Sequence, residues 1–299
     1  MRKQDGVMGV LVGKAVVITG SGQGIGAACA KGAARQGASV VVNDINAAAA
    51  DETSEAIRAA GGIAIPCVAD VTSWEDAERL IRSCIDAFGK IDGVVNNAGV
   101  AHVARIDEFD PKAARWMVDV NVMGPLYCAA HAVKPMLAQG SGSIVNVISG
   151  AHMGLPAVGV YAATKGAVAS MVYTWAIELA GSGVRVNALS PVAAGTGMNP
   201  MDPLKQPPEA NSPVIEYLLS DLSRHVNGQL VRIDREELHL YTHPALLVPP
   251  AVRPKWSAEV VAHAFANEFK DRQVTCGIMG MESLPVKLQS DNWKPRKAG

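Results

Sequence analysis

The sequence predicts an α/β fold, a doubly wound parallel sheet of about seven strands with helices on both faces. Three observations carry that expectation. Short apolar runs alternate with longer Ala-rich segments through the first two thirds of the 299 residues. The runs are β-branched and continuous rather than alternating in and out, which is the mark of strands buried on both faces. A glycine cluster stands between the first apolar run and the first helical segment, where a tight strand-to-helix turn belongs.

Strands are expected at residues 16–19, 39–43, 63–68, 93–95, 143–148, 184–189 and 229–233, and helices at 25–36, 47–60, 74–88, 111–137 and 160–180. Residues 191–213 are rich in Pro, Gly, Met and Asn and lack periodicity, so they read as a long functional loop. Beyond residue 234, Leu238-His239-Leu240-Tyr241 alternates and could add an edge strand. Ser257 is placed to cap a helix over 258–269, and the end of the chain is charged.

Composition excludes several classes. The 27 Lys and Arg against 28 Asp and Glu leave a net charge of -1, without the basic excess that nucleic acid or an anionic membrane requires. No apolar run reaches the roughly 18–20 residues of a membrane span. The cysteines Cys29, Cys67, Cys84, Cys128 and Cys276 are scattered and odd in number. They read as reduced thiols, and the expected location is the cytoplasm. His239 and His243 lie four apart, but Pro244 follows and no acidic third ligand is evident, so no metal site is expected.

The glycine cluster runs Thr19-Gly20-Ser21-Gly22-Gln23-Gly24-Ile25-Gly26. Directly after an apolar strand, it can bring backbone N–H groups and a helix N-terminus to a pyrophosphate, as in a Rossmann-type dinucleotide site. The second strand ends at Asn43-Asp44. A carboxylate there can accept from both adenosine ribose hydroxyls and would repel a 2′-phosphate. The positions where a basic residue would welcome that phosphate are Gln23, Ile45 and Asn46, which favours NAD(H). The plain alternative is that Asp44 caps the next helix.

Several motifs in order make the chain resemble the short-chain dehydrogenase/reductase family over residues 13–234. They are Thr19-Gly20-x-x-x-Gly24-x-Gly26, Asp70-Val71, Asn96-Asn97-Ala98-Gly99, Asn121, Ser149, Tyr161 with Lys165, and Pro191 with Thr196. The resemblance implies a cofactor cradle of Gly20, Gln23, Gly24, Ile25, Gly26, Asp44 and Ile45. It adds adenine contact at Asp70 and Val71, ribose-side support at Asn97, Ala98 and Gly99, and a nicotinamide contact at Pro191 and Thr196. It also implies a catalytic tetrad of Asn121, Ser149, Tyr161 and Lys165. Three departures stand out. Val192 and Thr196-Gly197-Met198 replace the usual substrate-loop residues, and Asp234-Arg235-Glu236 stands where an Asp-Gly-Gly is usual. Residues 1–234 are thus expected to form the catalytic domain, with 235–299 an extension and not an independent domain.

Tyr161 and Lys165 lie four apart in a helical pattern and share one face. An ammonium beside a phenol favours the phenolate, which is the base that alcohol oxidation needs. The resemblance implies that Ser149 holds the substrate oxygen, that Lys165 bonds the nicotinamide ribose and that Asn121 holds a water leading from Lys165 to solvent. The implied activity is hydride transfer between NAD(H) and a secondary alcohol or ketone, with 3-oxoacyl thioester reduction as the second reading and a non-catalytic NAD(H)-binding scaffold as the third. His152, Val192 and Met198 are candidates for the substrate pocket, and Met153 and Met201 for its wall. Apolar residues on more than one face of segments 111–137 and 160–180 point to a homotetramer, or failing that a dimer.

Overall fold

The computed structural model describes residues 9–192, 206–246 and 248–272. The chain divides into two units, Met1–Tyr241 and Thr242–Gly299. The first contains strands β1 (Ala15–Ile18), β2 (Ser39–Asp44), β3 (Ile63–Val68), β4 (Gly93–Asn96), β5 (Gly142–Val147), β6 (Val184–Pro191), β7 (Leu230–Asp234) and β8 (Glu237–Leu240). Its helices are α1 (Gly24–Arg35), α2 (Ala47–Ala59), α3 (Trp74–Phe88), α4 (Pro111–Val118), α5 (Gly124–Gln139), α6 (Gly159–Glu178) and α7 (Ser212–Leu219).

The strands form one sheet in the order β3-β2-β1-β4-β5-β6-β7-β8, with β1 to β7 parallel and β8 antiparallel to β7. Alternate residues of the apolar strands supply the two cores. Val17, Val41, Val94, Ile144 and Val186 pack under α3, α5 and α6. Val16, Val40, Val42, Val95, Val145 and Leu189 pack under α1, α2 and α7 on the other face. Strand order reverses between β1 and β4, and the crevice at the carboxyl ends of those strands is where a ligand can enter.

Two differences from the sequence expectations matter. Segment 111–139 is not one α-helix, because a π turn at Asp119–Met123 separates α4 from α5. The sheet has eight strands rather than seven, since Val231↔Leu240 through Asp234↔Glu237 close a tight hairpin. Helix α7 also lies at the end of the segment read as loop. Pro213 stands in its first turn, where the absent N–H has no helical partner to lose. In the second unit, α8 (Ala258–Asn267) is capped by Ser257, whose Oγ accepts from Val260 N at 3.4 Å.

The hairpin between β7 and β8 turns on Arg235, a non-glycine residue at φ +56. Its N–H donates to Gln206 Oε1 at 2.6 Å, while Gln206 Nε2 donates to Ile233 O at 3.2 Å. This brace holds the turn in a left-handed conformation that costs an L-residue about 1–2 kcal/mol. Its guanidinium gives little in return, since the pair with Asp234 is 3.5 Å long and exposed. Arg235→Gly keeps the braced amide and should raise unfolding free energy by about 1 kcal/mol in urea titrations. A loss of stability would show that the turn is not strained.

Candidate active site

The site is built where β1, β4, β5 and β6 end. Thr19 ties the first two together, its Oγ1 accepting from Asn97 N at 3.0 Å and Ala98 N at 2.9 Å. Asn97 Nδ2 answers by donating to Thr19 O and Gly20 O, both at 2.9 Å. The glycine turn that follows has little room for side chains. A Cβ at Gly26 would lie 2.2 Å from Gly20 O, and Gly20 and Gly24 both sit at φ +58. Gln23 is the extended N-cap of α1 and makes no side-chain capping bond, so the first turn of the helix keeps unpaired N–H groups.

Asp44 faces this turn. Its Oδ2 accepts from Gly22 N at 3.1 Å and its Oδ1 from Asn46 N at 3.0 Å. The cap of α2 is Asn46, whose Oδ1 accepts from Ala49 N, so the helix-capping alternative for Asp44 does not hold. Ile45 is exposed beside it. Ile25 packs partly into the core, and Val71 is buried beneath Gly124, leaving only its backbone for a ligand. Asp70 Oδ1 accepts from Thr72 N and Thr72 Oγ1, which shapes its own turn.

The polar cluster lies across the crevice. Lys165 is 4% exposed and its Nζ donates to Val147 O at 2.8 Å, at the end of the strand that stops two residues before Ser149. Burial pulls its pKa down from 10.5 to about 8. Tyr161 stands one helical turn earlier on α6, with the ammonium 5.8 Å from its ring centre. Burial raises the Tyr161 pKa, and a hydrogen bond with Ser149 lowers it part of the way back. Burial of the phenol thus outweighs the lowering expected from Lys165, whose ammonium donates to Val147 O. Gly99 lies alongside, and a Cβ there would sit 3.4 Å from both Lys165 Nζ and Asn121 Oδ1.

Asn121 sits inside the π turn, fully buried. Its Oδ1 accepts from Val100 N, and its Nδ2 donates to Val100 O and to Thr164 Oγ1, at 2.8, 2.8 and 3.1 Å. Thr164 Oγ1 donates in turn to Tyr161 O at 2.7 Å. The Asn121 side chain thus pins the turn after β4 to α6 through both N–H donors and one lone pair of Oδ1.

The comparisons with known proteins agree with this architecture. The short chain dehydrogenase family matches residues 14–206. A cis-4-hydroxycyclohexanecarboxylate dehydrogenase of Sinomonas cyclohexanicum is 35% identical over 239 residues, which is 74% of this chain and 95% of that protein. The chain belongs to the short-chain dehydrogenases. A solved short chain dehydrogenase from Mycobacterium avium covers 91% of this chain and 100% of its own, at 30% identity and TM-score 0.83. A gluconate 5-dehydrogenase from Burkholderia cenocepacia, solved with NADP and tartrate, covers 75% of this chain and 94% of its own, at 31% identity and TM-score 0.70.

The structure of this short-chain dehydrogenase brings Ser149, Tyr161, Lys165 and Asn121 into one cluster beside Gly99. Pro191 ends β6, and Val192 follows with its carbonyl accepting from Asn211 Nδ2 at 3.3 Å. His152 follows Ser149 in a single 3-10 turn. Thr196, Met198 and Met201 lie outside the described residues, as does Cys276. Thr164 escaped the sequence reading, although its spacing of three from Tyr161 on α6 was the available signal. Thr19 was read there only as the first residue of the glycine motif, and its clamp on the β4 turn went unseen. Among the described residues no helix is long and apolar enough to cross a membrane.

The buried ammonium has a measurable consequence. Below pH 8 both the folded and unfolded states hold the Lys165 proton, and the folded state bears the whole burial penalty. Between 8 and 10.5 the unfolded chain holds more protons, so stability rises with pH through that window. Relative to Lys165→Met, the wild type should gain about 2 kcal/mol of unfolding free energy between pH 8 and 9.5. Urea unfolding of both proteins at the two pH values reads it, and parallel pH profiles would refute it.

Proposed function

We propose that this short-chain dehydrogenase transfers a hydride between NAD(H) and a secondary alcohol or ketone, with Tyr161 as general acid and base. The observation that carries the proposal is the cluster of Tyr161, Ser149 and a buried Lys165 at the carboxyl ends of the sheet. The residues present suit a nicotinamide dinucleotide. Gly20, Gln23, Gly24, Ile25 and Gly26 give a turn closed to side chains and a helix start with free N–H groups, suited to a pyrophosphate. Asp44 retains lone pairs for ribose hydroxyls, with exposed Ile45 rather than a basic residue beside it. Asp70 and the backbone of Val71 would meet the adenine. Asn97, Ala98 and Gly99 would flank the second ribose, and Pro191 and Thr196 the nicotinamide amide.

The bound cofactor supplies a ring that accepts or gives a hydride. In oxidation the hydride leaves the carbinol carbon as the hydroxyl proton passes to Tyr161. Ser149 holds the substrate oxygen beside Tyr161, and its own hydrogen bond with Tyr161 eases ionisation of the phenol. Lys165, with its pKa lowered to about 8, is the buried cation of the cluster, its Nζ 5.8 Å from the Tyr161 ring centre. The space at Gly99 gives ribose hydroxyls access to the same ammonium. In reduction Tyr161 returns its proton to the forming alkoxide. Asn121 keeps the cluster in place through Val100 and Thr164. His152, Val192 and Met198 are assigned to the substrate side.

Asp44 should make NAD(H) bind at least about tenfold tighter than NADP(H), about 1.4 kcal/mol. Fluorescence titration with both reduced cofactors decides this, and equal affinities would overturn it. Tyr161→Phe should lower turnover by about a thousandfold or more while leaving NADH affinity within about twofold, because only the ionisable hydroxyl is lost. Turnover that survives in Tyr161→Phe would remove the tyrosine from its role.

A homotetramer is proposed from the exposed apolar residues Trp116 and Val118 on α4, Leu137 on α5 and Ile177 on α6. Light scattering at micromolar concentration should return four times the mass of the 31.2 kDa chain. A monomer mass would refute the assembly.

A further inference from the structure

The eighth strand does more than lengthen the sheet. It is followed directly by Tyr241, whose N–H donates to Leu230 O at 3.0 Å and whose side chain turns back over β7 onto the α6 face of the sheet. The phenol oxygen lies 2.8 Å from Ser190 Oγ. Ser190 is fully buried near the end of β6, one residue before Pro191. With its far end fixed there, the Tyr241 ring stands 5.4 Å, centre to centre, from the ring of His152, inclined at 44°.

His152 is held from its other side by the residue that carries the catalytic hydroxyl. Its Nδ1 lies 2.5 Å from Ser149 O. A carbonyl oxygen can only accept, so Nδ1 carries the hydrogen, and in the neutral ring Nε2 is left with a lone pair. Among the described residues Nε2 has no hydrogen-bond partner. An imidazole fixed in one tautomer, half-buried and three residues after Ser149, keeps an acceptor that no described residue uses.

We propose that Tyr241 is a positioning residue for substrate recognition. It locks His152 so that Nε2 accepts a hydrogen bond from a second hydroxyl of the substrate, next to the carbinol oxygen held by Ser149. The preferred substrates are then vicinal diols and α-hydroxy ketones rather than simple alcohols and ketones. This rests on the reaction proposed above and adds the substrate class. It also makes residues beyond Asp234 part of the recognition surface.

The test pairs 1,2-diols with mono-alcohols of the same carbon skeleton. Wild type should favour the diols by about tenfold in kcat/KM. Tyr241→Leu, which removes the ring, should raise KM for a diol about tenfold, leave kcat within about twofold and leave mono-alcohols unaffected. Tyr241→Phe keeps the ring and loses only the bond to Ser190, and Ser190→Ala loses the same bond without touching the strand. Both should raise KM about threefold. His152→Ala should raise KM for a diol at least as much as Tyr241→Leu, and the double variant should be no worse than His152→Ala alone, since Tyr241 acts through His152. NMR of 15N-labelled histidine reads the tautomer without turnover. The His152 signal, identified by its absence in His152→Ala, should report Nδ1–H in wild type and a mixture in Tyr241→Leu. Additive losses, equal damage to mono-alcohols, no preference for diols or an unchanged tautomer would each overturn the proposal. A protein that oxidises no alcohol at all would overturn the proposed reaction instead, and the NMR would still decide the positioning.

Discussion

Lys165 is a charge taken out of water at the floor of the crevice, and the arrangement around it follows from the need to hold it there. Removing an ammonium from solvent is costly unless its protons find acceptors. The one acceptor among the described residues is Val147 O, a carbonyl on the central strand β5. The ammonium can meet it only if α6 lies at a fixed height over the sheet. That height is set by the core under α6, where Val168, Val172 and Ala176 pack on Ile144, Val186 and Ala188. The hydrocarbon packing of the helix and the chemistry of its first turn are one constraint.

The same constraint explains why polar side chains buried nearby tie the loops to the helix. Asn121 spends its three hydrogen bonds on Val100 and Thr164, so the turn after β4 cannot drift from α6. Thr19 and Asn97 join that turn to the end of β1. The glycine turn, the Gly99 gap and the Lys165 ammonium therefore belong to one braced surface, at the point where strand order reverses. A buried hydrogen-bonded network of this kind favours one geometry, which is what hydride and proton transfer at fixed distances demand.

Much of this was legible in the sequence, for a physical reason. A strand buried on both faces has to be continuously apolar, and Val40-Val41-Val42 can hardly be anything else. Tyr161 and Lys165 at a spacing of four must share a helix face. What escaped the sequence depends on contacts between distant residues. The π turn at Asp119–Met123 cannot be told from α-helix by composition, because the same residues suit either, and it is the buried Asn121 bonds that accompany the turn here. The direction of the Tyr161 shift escaped for a similar reason. Spacing gives proximity, but the burial that raises the phenol comes from the packed fold around it. Asp44 was weighed between a ribose acceptor and a helix cap, and only the neighbouring Asn46 bond separates the two.

The edge of the sheet shows how a small local change can redirect the chain. Arg235 stands where relatives usually carry glycine, yet its backbone takes the left-handed turn all the same. Gln206 stabilises that turn by accepting from the Arg235 amide and donating to Ile233 O. The chain then runs back antiparallel along β7, and an antiparallel strand needs only such a tight turn, whereas a parallel one would need a long crossover. Pairing covers the exposed edge of β7 but creates a new one, and β8 keeps it short at four residues with Glu237 at its start. Reversal also sends the chain toward the α6 face just as it leaves the sheet, so the first residue past the strand, Tyr241, can reach across β7 to Ser190. A parallel continuation would have carried that residue away from Leu230 and out of reach of Ser190. The hairpin turn, the strand direction and the aromatic contact with His152 thus depend on one another in sequence. The extension enters the recognition surface through backbone geometry before any side chain is chosen.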